Sequence, residues 1–143
     1  MASRLYNILA QLVKADRRTL LWTNPSPTAA FSPTTVDVNL SGYDAVDVSF
    51  KDHKTAAAGA TVRCMKGGNA LPLMNSASGA YIRWRWFQPL SDNSGVKFLD
   101  GYQGTTVNND YATPYQIWGV KLGGGLKSLI LNAFHLHRLE VAA

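Results

Sequence analysis

His135 and His137, one residue apart, are the arrangement in this chain with ligand chemistry. On a strand, residues i and i+2 project from the same side. Around a threefold axis, three such pairs would present six imidazole nitrogens, a set suited to an octahedral divalent transition metal. Surface or hydrogen-bonded histidines satisfy the same two residues, and that plainer reading is preferred. A second constellation lies on the segment from Ala80 to Phe87, which alternates as a strand does. Tyr81, Arg83, Arg85 and Phe87 share one side, an aromatic and basic stripe able to stack on sugars or bases. Burial against the core or a subunit is the preferred alternative. Ile82, Trp84 and Trp86 share the other side, and the two tryptophans are expected in the core.

Other catalytic chemistry finds little support. The carboxylates are few, and Asp100 with Asp110 would make a glycosidase pair only if folding happened to set them face to face. No nucleophile elbow, phosphate-binding glycine loop, HExxH or cysteine pair occurs in the sequence. Cys64 is the lone cysteine; the alternation Val62, Cys64 makes it a small buried apolar residue rather than a reactive thiol. The expectation is a protein that is not an enzyme and takes no cofactor.

The elements that must position these residues read as all-β. A chain of 143 residues suits one core. Val36, Val38 and Leu40 alternate with polar residues, as do Val46, Val48 and Phe50, and Ser41-Gly42-Tyr43-Asp44 supplies a turn between them. These two runs are expected to pair as a hairpin with one apolar and one wet side. Further strands are expected at Thr19 to Trp22, Thr61 to Met65, Ala80 to Phe87, Val96 to Leu99 and Tyr115 to Leu122. Residues 51 to 60 read as a loop carrying an exposed His53, and Lys66 to Ser78 as a Gly/Asn/Pro-rich connection. Seven or eight short strands favour an antiparallel β-sandwich or jelly roll.

Both ends differ from this middle. Leu5, Ile8, Leu9 and Leu12 fall at i, i+3, i+4 and i+7, an apolar stripe on a short helix over residues 2 to 15 with Ser3 as N-cap. So short a helix is marginal alone and must pack on its own domain, a sister copy or another protein. After Gly123-Gly124-Gly125, a tail containing Leu129, Ile130 and Phe134 is too apolar to remain solvated, though its period fits helix and strand alike. The division expected is 1–18 as a helical anchor, 19–122 as the β-sandwich and 123–143 as a hinge and assembly segment. The net charge of +5 is partly collected in the first twenty residues, where Arg4, Lys14, Arg17 and Arg18 face only Asp16. Elsewhere basic and acidic residues interleave, which disfavours nucleic acid as a partner. No run approaches the roughly 18 apolar residues of a membrane span, and no signal peptide is recognisable, so a soluble protein made in a cytoplasm is expected.

An opening Leu21-Trp22-Thr23-Asn24-Pro25-Ser26-Pro27-Thr28 with Phe31, a middle of Val36, Val38, Leu40-Ser41-Gly42-Tyr43-Asp44, Val46, Val48 and Phe50, and a closing Pro114-Tyr115-Gln116-Ile117-Trp118-Gly119-Val120-Lys121 together resemble a small β-domain of tailed-bacteriophage structural proteins. Such domains occur at tail-fibre ends, in minor tail proteins and on head surfaces, and the resemblance covers residues 20 to 122. It implies a virion protein, made in the host cytoplasm and displayed on the particle as capsid decoration, head fibre or tail-associated module. Other virion proteins and a homo-oligomer, a trimer by preference, are the partners expected. The alternative function is host attachment through a bacterial surface saccharide.

Overall fold

The computed structural model describes residues 3–7, 16–75 and 81–123. The chain divides into two compact units, one of Arg18–Val120 and one of Met1–Arg17 with Lys121–Ala143. In the second, residues 3–7 are helical. The first is a β-sandwich. Its strands in order are β1 (Arg17–Thr23), β2 (Thr34–Asp37), β3 (Ala45–His53), β4 (Ala58–Met65), β5 (Leu71–Asn75), β6 (Arg83–Pro89), β7 (Gly95–Gln103), β8 (Thr106–Val107) and β9 (Tyr111–Lys121). One sheet runs β1-β9-β3-β4; the other runs β2-β7-β6-β5, with β8 also on β7. All registered pairs are antiparallel.

The two sheets close on one apolar interior, as the alternation requires. Val46, Val48, Phe50 and Ile117 line it from the first sheet, and Val36, Leu73, Phe87, Val96 and Phe98 from the second. Phe31, from the connection before β2, inserts edge-on against Phe98 with ring centroids 5.5 Å apart, and Phe98 in turn stacks on Phe87. Cys64 is buried among them, and burial pushes its thiol pKa up.

Several local expectations are corrected. The runs at Val36 and Val46 do not form a hairpin: β2 pairs with β7, while β3 pairs with β4 and β9. The Ser41-Gly42-Tyr43-Asp44 turn forms, with the Tyr43 amide donating to the Leu40 carbonyl, but it carries the chain from one sheet to the other. Alternation states that a strand has a buried side and leaves its partner open. The stretch Lys66 to Ser78 contains β5, an edge strand, where Pro72 costs no central ladder bond. Residues 51–53 and 58–60 extend β3 and β4 rather than forming a loop.

The first sheet's outer side is also less wet than its pattern suggests. Asp47 is buried there under two arginines: Arg63 Nε lies 2.7 Å from Oδ1 and Arg18 Nε 3.1 Å from Oδ2. Arg18 then lies 4.5 Å over the Trp118 ring.

The three sequence motifs at residues 21–31, 36–50 and 114–121 meet around β9. The Asn24 side chain donates to the Pro114 carbonyl at 2.9 Å, its amide donates to Tyr115, and its Oδ1 accepts from the Ser26 amide. The Asp44 amide donates to the Val120 carbonyl at 2.8 Å. The Tyr43 ring lies flat against Gly119, where an added Cβ would come within 2.7 Å of it. Glycine at 119 is therefore a packing requirement: the ring takes the space a side chain would need.

Candidate functional site: the outer face of β5, β6 and β7

Strand β6 decides the site because its two sides have opposite fates. Arg83, Arg85 and Phe87 point inward, and Trp84 and Trp86 point out. This overturns the expectation that placed the tryptophans in the core, whereas for Arg83, Arg85 and Phe87 burial, the preferred reading of the stripe, is what forms, and of the four only Tyr81 stays exposed enough for a ligand contact. Phe87 is a core residue. Arg85 has no exposed surface at all, and its guanidinium is consumed by backbone carbonyls: Nε donates to Ala112 at 2.9 Å, Nη1 to Leu99 at 2.6 Å and Nη2 to Tyr111 at 3.2 Å. A planar fork of five donors suits this, since one cation satisfies several carbonyls at once. Desolvation draws its pKa down to about 10, countered in part by Asp100, so the group stays charged near neutrality.

The backbone is shaped around this side chain. Ala112, whose carbonyl receives Nε, holds a left-handed φ of 46°, a conformation costing a non-glycine residue about 1–2 kcal/mol. Gly101 sits where a Cβ would meet Arg85 Nη2 at 2.8 Å and the Tyr111 carbonyl at 2.7 Å. Arg83 pairs with Asp52 and lies 4.4 Å over the Tyr111 ring. Of the stripe, Tyr81 alone is open to solvent, at 60%.

Outside, the register aligns a row across four strands: Met74 faces Trp84, Trp84 faces Tyr102, and Tyr102 faces Val107. Trp84 and Tyr102 stack with centroids 4.3 Å apart and planes 8° from parallel, and Trp84 Nε1 donates to the Gly104 carbonyl at 2.9 Å. Trp86 stands edge-to-face with Trp84 at 6.0 Å. Pro72, Met74, Ile82, Trp84 and Trp86 line an open groove of about 500 Å³. Met74 is 49% exposed, Trp86 37% and Leu99 42%, beside one another on a side that should be polar.

Trp86 also borders a second, smaller depression of about 70 Å³, lined by Gln88, Lys97 and Leu99. Gln88 pairs directly with Lys97 in the β6–β7 register, and both are exposed. The β6–β7 ladder shifts register between Arg85 and Phe87, opposite Leu99 and Asp100, so Trp86 sits at a bulge. Bulges bend a strand and re-aim its side chains.

The other residues singled out by sequence fall elsewhere. Asp100 accepts from the Asn109 side chain, and Asp110 pairs with Lys54 at 3.0 Å, so each acid has its own partner. His53 rests on the Tyr111 ring and bonds Thr55. Leu5 is exposed on its helical turn. Ile8, Leu9, Leu12, Leu129, Ile130 and Phe134, with the histidine pair His135 and His137, lie outside the described residues. Among the described residues no three His, Cys, Asp or Glu side chains gather as a metal set, and no helix is long and apolar enough to cross a membrane.

Sequence reasoning missed the groove because both sides of β6 carry large aromatic residues and arginines have long apolar stems. A usable signal was the parity of the neighbours: Leu71, Leu73, Val96 and Phe98 are more apolar than Pro72, Met74 and Lys97. Using it needs the register, which the sequence does not state. No family model, curated protein or solved structure matches this chain significantly.

Proposed function

We propose that this chain is a non-enzymatic bacteriophage virion protein, a β-sandwich displayed on the particle as capsid decoration, head fibre or tail-associated module and assembling through its terminal segments. The motifs at residues 21–31, 36–50 and 114–121 supply the phage assignment by resemblance. They pack on one another around β9 through Asn24–Pro114 and Tyr43–Gly119, which supports reading them as one structural signature. The observation that carries a role in binding is the exposed aromatic face of β5, β6 and β7, since a sandwich with no partner keeps its outer sides polar. The same face favours a second reading, host attachment.

Cryo-electron microscopy of particles from the phage encoding the chain tests the assignment. A repeated density on head or tail that accepts the sandwich is the expected result. Absence of the protein from purified particles would overturn it. Removal of residues 1–16, which leaves β1 and the Arg18 contact with Asp47 intact, is expected to leave a folded sandwich that no longer joins the particle; an unfolded product would make those residues part of the domain's own fold.

A further inference from the structure

We infer that the outer face of β5, β6 and β7 is a saccharide-binding site, with Trp86 as the stacking platform and Gln88 and Lys97 as the hydrogen-bonding groups that orient a neutral hexopyranose. This goes beyond virion membership and can be tested on the isolated protein, so its failure leaves the particle assignment standing.

Three observations select this occupant. The first is size. The apolar row crosses four strands, about 15 Å at roughly 4.8 Å per strand, and Ile82 to Trp86 spans about 13 Å at roughly 3.3 Å per residue. A patch of about 200 Å² falls well short of the roughly 800 Å² per partner of a standard protein interface. The groove that Trp86 borders, about 500 Å³ in volume, lies within the range of small-ligand sites, and Gln88 and Lys97 line a second depression of about 70 Å³ that shares Trp86 with it.

The second is charge. Among the described residues, the arginines of β6 are not on this face to answer phosphates: Arg85 is buried and bound to carbonyls, and Arg83 is paired with Asp52. Among the described residues, Lys97 is the one cation that lines the depression beside Trp86. A nucleic-acid strand would place several phosphates here with almost nothing to neutralise them.

The third is the pairing of chemistries. A pyranose has an apolar face of C–H groups and an equator of hydroxyls. An aromatic ring, with its negative face, accepts the former. Gln88 offers donor and acceptor to vicinal hydroxyls, and Lys97 offers three donors. The two side chains lie side by side across β6 and β7, one strand period from Trp86, and no hydrogen bond or ion pair among the described residues engages either of them. A ring seated on Trp86 thus has its polar edge within reach of both.

The full-length protein is to be screened on an array of bacterial surface polysaccharides, and the best glycan titrated by intrinsic tryptophan fluorescence. Binding to at least one hexopyranose glycan is expected. Trp86→Ala should weaken it at least tenfold, and Gln88→Ala and Lys97→Ala severalfold each, with circular dichroism unchanged. Gln88→Ala is surface-exposed and keeps the test valid if Trp86→Ala folds poorly. Raising salt from 50 to 200 mM should change affinity by less than about twofold. No bound glycan, or binding indifferent to both Trp86→Ala and Gln88→Ala, overturns the inference. So does a steep loss with salt, which would indicate a polyanion. Self-association in sedimentation that Trp86→Ala abolishes, without glycan binding, also overturns it, and makes the face a contact between copies.

Discussion

Trp118 and Trp86 occupy equivalent situations, each on the outer side of one of the two sheets, yet one is covered and the other is not. Over Trp118 lies Arg18, which also joins Arg63 on the carboxylate of Asp47, so the first sheet's outer side is closed by a charged network. Among the described residues no arginine covers Trp86, because those of β6 have turned inward to bind carbonyls and pair with Asp52. A guanidinium turned inward toward buried carbonyls is no longer placed to shield an indole on the outer side of its own strand. The second sheet spends its arginines inside the sandwich and leaves its aromatic residues outside.

This contrast can be broken most directly at Arg85. Arg85→Ala strands the Leu99, Tyr111 and Ala112 carbonyls and opens a cavity, and should cost about 3–5 kcal/mol by chemical denaturation. Arg85→Lys should recover only part, since an ammonium cannot reproduce the fork. A loss under about 1 kcal/mol for Arg85→Ala would mean that the inward arginine is dispensable, and the contrast would collapse.

Neighbouring residues of one strand sharpen it further. Phe87→Ala should cost about 3–5 kcal/mol, as core phenylalanine truncations do, whereas Trp86→Ala should stay within about 1 kcal/mol despite removing the larger ring. Thermal or urea melts in which Trp86→Ala proves the worse of the two would place Trp86 in the interior. Trp84→Ala should fall between them at about 1–3 kcal/mol, because it loses the Tyr102 stack and the bond to Gly104 but little full burial.

On the first sheet, Gly119→Ala pushes a methyl group into the Tyr43 ring and should cost about 1–3 kcal/mol. Combining it with Tyr43→Ala should cost less than the sum of the single changes, and simple additivity would show that the ring does not restrain position 119. The smallest effect is expected at Asp92, whose carboxyl is held below its usual pKa by the Ser94 hydroxyl and amide. Its contribution is present above about pH 4 and is lost as pH falls through the lowered value. Asp92→Asn should therefore flatten the acid limb of a pH–stability profile slightly and leave neutral stability nearly unchanged.

Much of the sandwich was legible from spacing. The alternations at Val36 and Val46 placed their apolar residues in the core as expected, and turn residues marked where strands ended. What spacing could not supply was the partner of each strand. The two alternating runs joined by a tight turn read as a hairpin, and instead lie in opposite walls. The same missing information hid the aromatic groove, since which side of β6 faces inward follows from Leu73 and Phe98 flanking it and from the carbonyls that Arg85 can reach.

The sequence alone determined that the middle of this chain is an antiparallel all-β domain, because a period of two in side-chain polarity is a local property of each strand and needs no partner to be seen. The tertiary structure decided where the large residues of a two-sided strand go. That choice depends on distant groups: the strained carbonyl at Ala112, the space left by Gly101 and the Asp52 carboxylate together offer the arginines a satisfied place inside, and by doing so leave Trp84 and Trp86 on the surface.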